Sequence, residues 1–300
     1  MIRTVDIEVS GRPDWEGDEA WVLAPRPFDH WGQRLHGFEA EGVSAIREIV
    51  ATNSGCRAYL MRATGDVVRL RYELALCDEP APDWVWRVER NRHTIAAPSL
   101  IDAAQKLGEG ATTERLALRR LIDDAAAIFG YGHVDERFND GCDTVPLVCG
   151  TAKGSCVDIN TYLLAAALSL GIRGQYIAGY WFHPDKTETT DMHCWLAFEP
   201  DGELVFWDLA HALKWSATLG AQVSEGLNPA GGRRVAMSCG RGLRFETPHG
   251  PVEISHFSEP VWIGPKANAE RCAKRGSALR ISVEDPDGRR DQFPIVEAAE

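Results

Sequence analysis

Three hundred residues suffice for two compact units with at least one large apolar core, and a 44% hydrophobic, 25% charged composition is that of ordinary folded protein rather than a fibrous or disordered chain. Thirty-two Lys and Arg against 44 Asp and Glu leave a net charge of −12, which opposes binding to nucleic acid or an anionic membrane surface.

The chain opens MIRTVDIEVSG, where Asp6 and Glu8 interrupt any apolar leader, so no targeting segment is expected. Strands are predicted at Ile2–Val9, Ile46–Ala51, Cys56–Met61 and Val67–Leu76 from their alternation, with turns at Asn53-Ser54-Gly55 and Thr64-Gly65-Asp66. Residues 1–83 therefore read as an N-terminal antiparallel β-domain that ends in the linker DEPAPD (78–83).

The period becomes helical from Pro98 to Tyr131. Thr112 or Thr113 can cap a helix whose apolar positions include Leu118, Leu121, Ile122, Ala125 and Phe129. A second helix is predicted from Cys156 to about Leu170, stopped by Gly171, and strands follow at Gln175–Trp181, His193–Phe198 and Leu204–Leu209. Residues 84–215 thus form an α+β core. Residues 216–300, with a glycine-rich stretch at 226–232 and strand patterns around the turn Asp285-Pro286-Asp287-Gly288, read as a β-rich extension completing the fold.

Ser155 followed three residues on by Asp158 is a capping-box pattern, which puts Cys156 at the first helical position. There the unpaired amides, the helix dipole and nearby Lys153 all favour a thiolate, so an activated cysteine is expected. A nucleophilic cysteine needs a base and a group to orient it. In MHCWLAFEPDGELVFWDLA, a type I turn over Glu199–Gly202 would pair residues whose numbers sum to 401, placing His193 opposite Asp208 and turning Cys194 to the other face. His211 lies near enough in sequence to Asp208 to serve as its mutational control.

These residues carry a likeness. GSCVDINTYLLAAALSLGIRGQYIAGY, then MHCWLAF, then VFWDLA, over about residues 95–211, resembles the transglutaminase-like superfamily, with Gly-x-Cys-x-Asp at a helix start, His-x-Trp on one strand and Asp on the next. FDHWGQRLHGFEAEG is similar to the β-domain that precedes this core in many bacterial members. The resemblance implies an α+β, papain-like transglutaminase core behind a β-sandwich-like domain. It also implies Cys156 as nucleophile, His193 as general base and acid, and Asp208 as the residue that orients it. The chain departs from the family at Leu209-Ala210, where Pro-Thr is frequent, and at Ile172-Arg173-Gly174-Gln175, where Ile-Pro-Ala-Arg is frequent.

The function expected is a thiol-dependent hydrolase or acyltransferase acting on a peptide or other amide, with hydrolysis favoured. Glutamine acyl transfer to an amine, and a non-catalytic binding module on the same fold, are the alternatives. The backbone amide of Cys156 and, more weakly, Tyr131 are the oxyanion donors considered. Cys142, Cys149 and Cys156 are spaced by seven, too far for the usual paired zinc ligands, so neither metal nor cofactor is expected. Cys56, Cys77, Cys194, Cys239 and Cys272 read as core or strand thiols, and a cytoplasmic location would keep them reduced.

Overall fold

The structure is a computed structural model and describes residues 2–12, 20–219, 232–264, 273–275 and 278–284. Cys272, the glycines before 232, the turn at 285–288 and the strand expected after it lie outside the described residues. In chain order the elements are β1 (Ile2–Ser10), β2 (Trp21–Pro25), β3 (Arg34–Glu41), β4 (Val43–Val50), β5 (Arg57–Ala63), β6 (Val67–Ala75), α1 (Pro98–Gly108), α2 (Glu114–Ile128), β7 (Phe129–Tyr131), β8 (Ala152–Gly154), α3 (Cys156–Ser169) and β9 (Gly174–Phe182). They continue with β10 (Glu188–Thr189), β11 (Met192–Phe198), β12 (Val205–Trp207), α4 (Leu209–Leu219), β13 (Arg233–Cys239), β14 (Leu243–Thr247), β15 (Gly250–Ile254), β16 (Val261–Ile263), β17 (Ala273–Arg275) and β18 (Ala278–Glu284). This is the α+β architecture expected, with a β-rich N-terminal part. Two compact units share it: the described residues of Met1–Val85, Ala178–Met192 and Gly232–Pro294 form one, and those of Trp86–Ile177 and His193–Gly231 the other.

The first unit holds two five-stranded sheets, ordered β10-β18-β1-β6-β3 and β17-β16-β2-β5-β4, with the hairpin β14-β15. Alternation along β1 and β6 sends Val5, Ile7, Val9, Val68, Leu70, Tyr72 and Leu74 into a core shared with Val22, Ala24, Tyr59 and Met61 of the other sheet. The opposite face of the first sheet is charged: Arg69 and Arg71 pair with Glu8 and Asp6 across β1 and β6. Phe38 of β3 stacks on Tyr59 with centroids 3.9 Å apart.

In the second unit α3 is the central element, touched by α1, α2 and α4. Residues 156–167 are all buried, which fits a helix apolar on every side (Val157, Ile159, Leu163, Leu164, Ala165). Its sheet runs β12-β11-β9, and the short β7 and β8 pair in parallel, setting Tyr131 beside Gly154. The helical stretch predicted from Pro98 divides into α1 and α2, and Thr113 caps α2 by accepting from the amide of Leu116.

The β11–β12 hairpin departs from the expected register. Leu196 faces Trp207 and Phe198 faces Val205, so partners sum to 403, not 401. The loop is a short 3-10 turn over Pro200–Gly202 in which Asp201 and Gly202 both adopt positive φ. Its cause lies in the tertiary structure: the Asp201 carboxylate accepts from the amides of Glu114 and Arg115 at 3.0 and 3.1 Å, while its own amide donates to Glu114 at 2.9 Å. The loop tip is thus docked on the start of α2, and the positive φ this needs is tolerated by Asp and free for Gly.

Candidate active site

The capping box forms as read from the sequence. Asp158 accepts from both the amide and the hydroxyl of Ser155, at 2.8 and 2.7 Å, and fixes Cys156 as the first residue of α3. The other Asp158 oxygen lies 3.7 Å from Arg137 Nε. Asn160, one turn beyond Cys156, donates from Nδ2 to the carbonyl of Cys194 at 3.0 Å and to its sulfur at 3.4 Å, tying α3 to β11.

His193 enters from β11. Its Nε2 lies 2.6 Å from Asp208 Oδ2, and the pair is almost wholly buried. Because of the two-residue register shift, Asp208 is not directly across from His193. It sits just past the end of β12, diagonal to the histidine, within the reach of a long side chain. It also opens α4: Oδ1 accepts from the amide of His211 at 3.1 Å, an N-cap bond, and the Asp208 carbonyl accepts from the amide of Ala212. A helix starting here was not expected.

The Cys156 thiol lies beside the His193 imidazole and feels its charge. The structure therefore brings Cys156, His193 and Asp208 together as a chain of contacts from sulfur to imidazole to carboxylate. It also adds two residues. Cys194, expected on the far face, turns toward α3 and meets Cys156. Alternation separates faces of a strand but does not say which face a helix will cover. His211, considered only as a control, stacks on His193 with centroids 3.8 Å apart and places Nδ1 3.2 Å from Asp208 Oδ2.

The electrostatics correct one expectation. Cys156 is 5% exposed, and its thiol is pushed well above the usual range by the adjoining Cys194 thiol and by burial, against the downward pull of His193. Desolvation and a neighbouring thiol outweigh the helix start, so the sulfur rests protonated. Burial lowers the affinity of His193 for its proton, but the charge and hydrogen bond of Asp208, with the contact to Cys156, lift it to about 9. Burial works to raise the Asp208 carboxyl, yet the two histidines hold it well below its ordinary value.

Two expected results follow. Below about pH 9 both Cys156 and His193 carry protons, and reaction at sulfur requires the pair to lose one. The rate of Cys156 alkylation should therefore climb about tenfold per pH unit from neutrality and level off near pH 9, read by mass spectrometry of the modified peptide. His193→Ala should move that limb upward, because the sulfur then loses the only cause that lowers it. The second result concerns stability. His193 is raised from 6.5 unfolded to about 9 folded, so its contribution is complete below pH 6.5 and lost as pH climbs through 9. The difference is on the order of 3 kcal/mol. Thermal melts should show the wild type losing stability over that window, and His193→Gln should flatten the loss.

His193, Asp208 and His211 offer three ligand atoms within 4.8 Å of one another. The 2.6 Å spacing between His193 and Asp208 is that of a shared proton. Ligands about 2.0–2.1 Å from a tetrahedral zinc ion would stand more than about 3 Å apart, so the residues as placed do not fit a metal. Cys142 is half-buried and Cys149 exposed, and neither joins this group. Tyr131 lies beside the strand that leads into Cys156, with its ring under the Lys214 ammonium at 5.4 Å. Among the described residues no helix is long and apolar enough to cross a membrane.

A cysteine at the start of a buried helix, packed on an antiparallel sheet whose strands bring up a histidine and an aspartate, defines a papain-like α+β core. Residues 101–207 match the family model of the transglutaminase-like superfamily. Among solved structures the chain is similar to a candidate cysteine protease from Cytophaga hutchinsonii, at 12% identity and a TM-score of 0.54, over 98% of this chain and 93% of that one. It is also similar to the periplasmic domain of TgpA from Pseudomonas aeruginosa, at 15% identity and a TM-score of 0.37, over 71% of this chain and 90% of that one. No curated protein matches.

Proposed function

We propose that the protein is a thiol-dependent amide hydrolase that works through Cys156, His193 and Asp208. The observation that carries this reading is the buried 2.6 Å His193–Asp208 pair beside a thiol at a helix start. With one proton lost from the pair, His193 takes the proton of the Cys156 thiol as sulfur attacks the carbonyl carbon of the amide. The oxyanion that forms is met by the Cys156 backbone amide, one of the donors left without a partner inside the helix. His193 then protonates the amine, the C–N bond breaks, and a thioester remains on Cys156. Water attacks the thioester with His193 as base, releasing the acid and restoring the thiol. Asp208 orients the imidazole and balances its charge throughout.

The substrate class is a peptide or a related amide. Incubation with a peptide library, with and without an added primary amine, tests the reading by mass spectrometry. Cleavage or deamidation independent of the amine supports hydrolysis, and an amine adduct supports acyl transfer. No product from wild type, with Cys156 inert to alkylators at pH 9, would favour a binding module. We assign the protein to the cytoplasm, where Cys56 and Cys239, with buried sulfurs 3.3 Å apart, stay as thiols. Loss of both thiol hydrogens from that pair in protein isolated without reductant would argue for an oxidising compartment.

A further inference from the structure

Asp208 serves two histidines. Its Oδ2 meets His193 Nε2 at 2.6 Å and His211 Nδ1 at 3.2 Å, so both imidazoles address one oxygen, while Oδ1 is occupied by the His211 backbone amide. The two rings lie nearly parallel, 13° apart in plane, at a centroid separation of 3.8 Å, and His211 is 3% exposed. One carboxylate balances one positive charge. Two imidazolium rings in face contact would carry a second, unbalanced charge in a site almost wholly shielded from solvent. A donor on Oδ2 also draws on the same lone-pair density that binds His193, so each bond weakens the other.

From this geometry we infer that His211 is a positioning residue that tempers His193, competing with it for Asp208 so that the imidazole can still give up its proton. The inference rests on the triad reading above. Without His211 the carboxylate would serve His193 alone, and its grip on the imidazolium proton would tighten. Asp208 and His193 touch the His211 ring. On α3, Cys156 stands beyond His193, and Asp158 is held in the Ser155 cap. On β7, Tyr131 takes the ammonium of Lys214 from α4 itself. On α2 there are half-buried Asp124 and the exposed Arg119–Asp123 pair.

The test is a direct titration of the His193 ring by NMR in full-length protein labelled at histidine Cε1, with its resonance identified by loss in His193→Gln. His211→Leu removes the donor, His211→Phe removes the donor but keeps an aromatic face on His193, and His211→Gln keeps an amide donor without the ring. Melting temperatures show which variants fold. The midpoint of His193 should rise in either donor-free variant by half to one pH unit, about three- to tenfold in proton affinity. In His211→Gln it should stay nearer to wild type. A midpoint unchanged or lowered in a folded donor-free variant would overturn the inference and leave His211 as packing. Alkylation of Cys156 in the wild type, run in parallel, keeps the two ideas separate. A reactive sulfur with no midpoint shift refutes the role of His211 alone, whereas an inert sulfur refutes the triad reading whatever His193 does.

Discussion

Cys156→Ala should lower turnover by about 10⁴- to 10⁶-fold while the protein melts within a few degrees of wild type. The size of the loss comes from chemistry: without sulfur there is no thioester, and only binding and the oxyanion donors remain. The small structural effect comes from the position. Cys156 is buried at the first turn of α3, where alanine is a good helix residue, and the cap that starts the helix belongs to Ser155 and Asp158. Truncating one small thiol there costs about 1 kcal/mol. Cys142→Ala and Cys149→Ala, at thiols outside the Cys156–His193–Asp208 group, should keep nearly full activity. If Cys156→Ala retained wild-type turnover in a clean preparation, the nucleophile would lie elsewhere.

How far the site was legible in the sequence differs from element to element. The start of α3 was local: a Ser with an Asp three residues on, before an apolar run, needs no distant partner to specify a cap, and the structure forms it as written. The β11–β12 register was not local. It depends on Asp201 reaching the first amides of α2, far away in sequence, and that contact selects a loop with two positive-φ residues over a type I turn. β3 escaped for a related reason, since a register irregularity between Leu35 and Gly37 breaks the period of two by which a strand is recognised. α4 could have been found. Asp208 before Leu209, Ala212 and Leu213 is an N-cap signal, and it is masked because it overlaps the strand pattern of Leu204–Leu209. The rest state of the thiol was the least legible of all, because helix position is readable from sequence whereas burial and the approach of Cys194 are not.

Asp208→Asn should lower turnover by about 10⁴-fold and destabilise the fold most below pH 6.5, where the His193–Asp208 pair contributes fully, with the difference from wild type shrinking as pH climbs through 9. The two jobs of this carboxylate allow its effects to be separated. As the cap of α4 it needs only an acceptor oxygen for the His211 amide, and asparagine supplies one about as well as aspartate. As the partner of His193 it needs a charge, which asparagine lacks. The imidazole should then lose the influence that lifts it to about 9, and burial should take it below 6.5. His193 would be neutral at pH 7, with an amide that can present either its N–H or its oxygen to the ring and so no longer selects the productive tautomer. Asp208→Ala removes both functions. It should match Asp208→Asn in turnover but melt lower by about a further 1 kcal/mol, the cost of a missing cap. Equal melting temperatures for the two variants would show that the cap contributes nothing. Near wild-type turnover in Asp208→Asn, with His211→Gln severely impaired, would transfer the orienting role from the strand end to the first turn of α4.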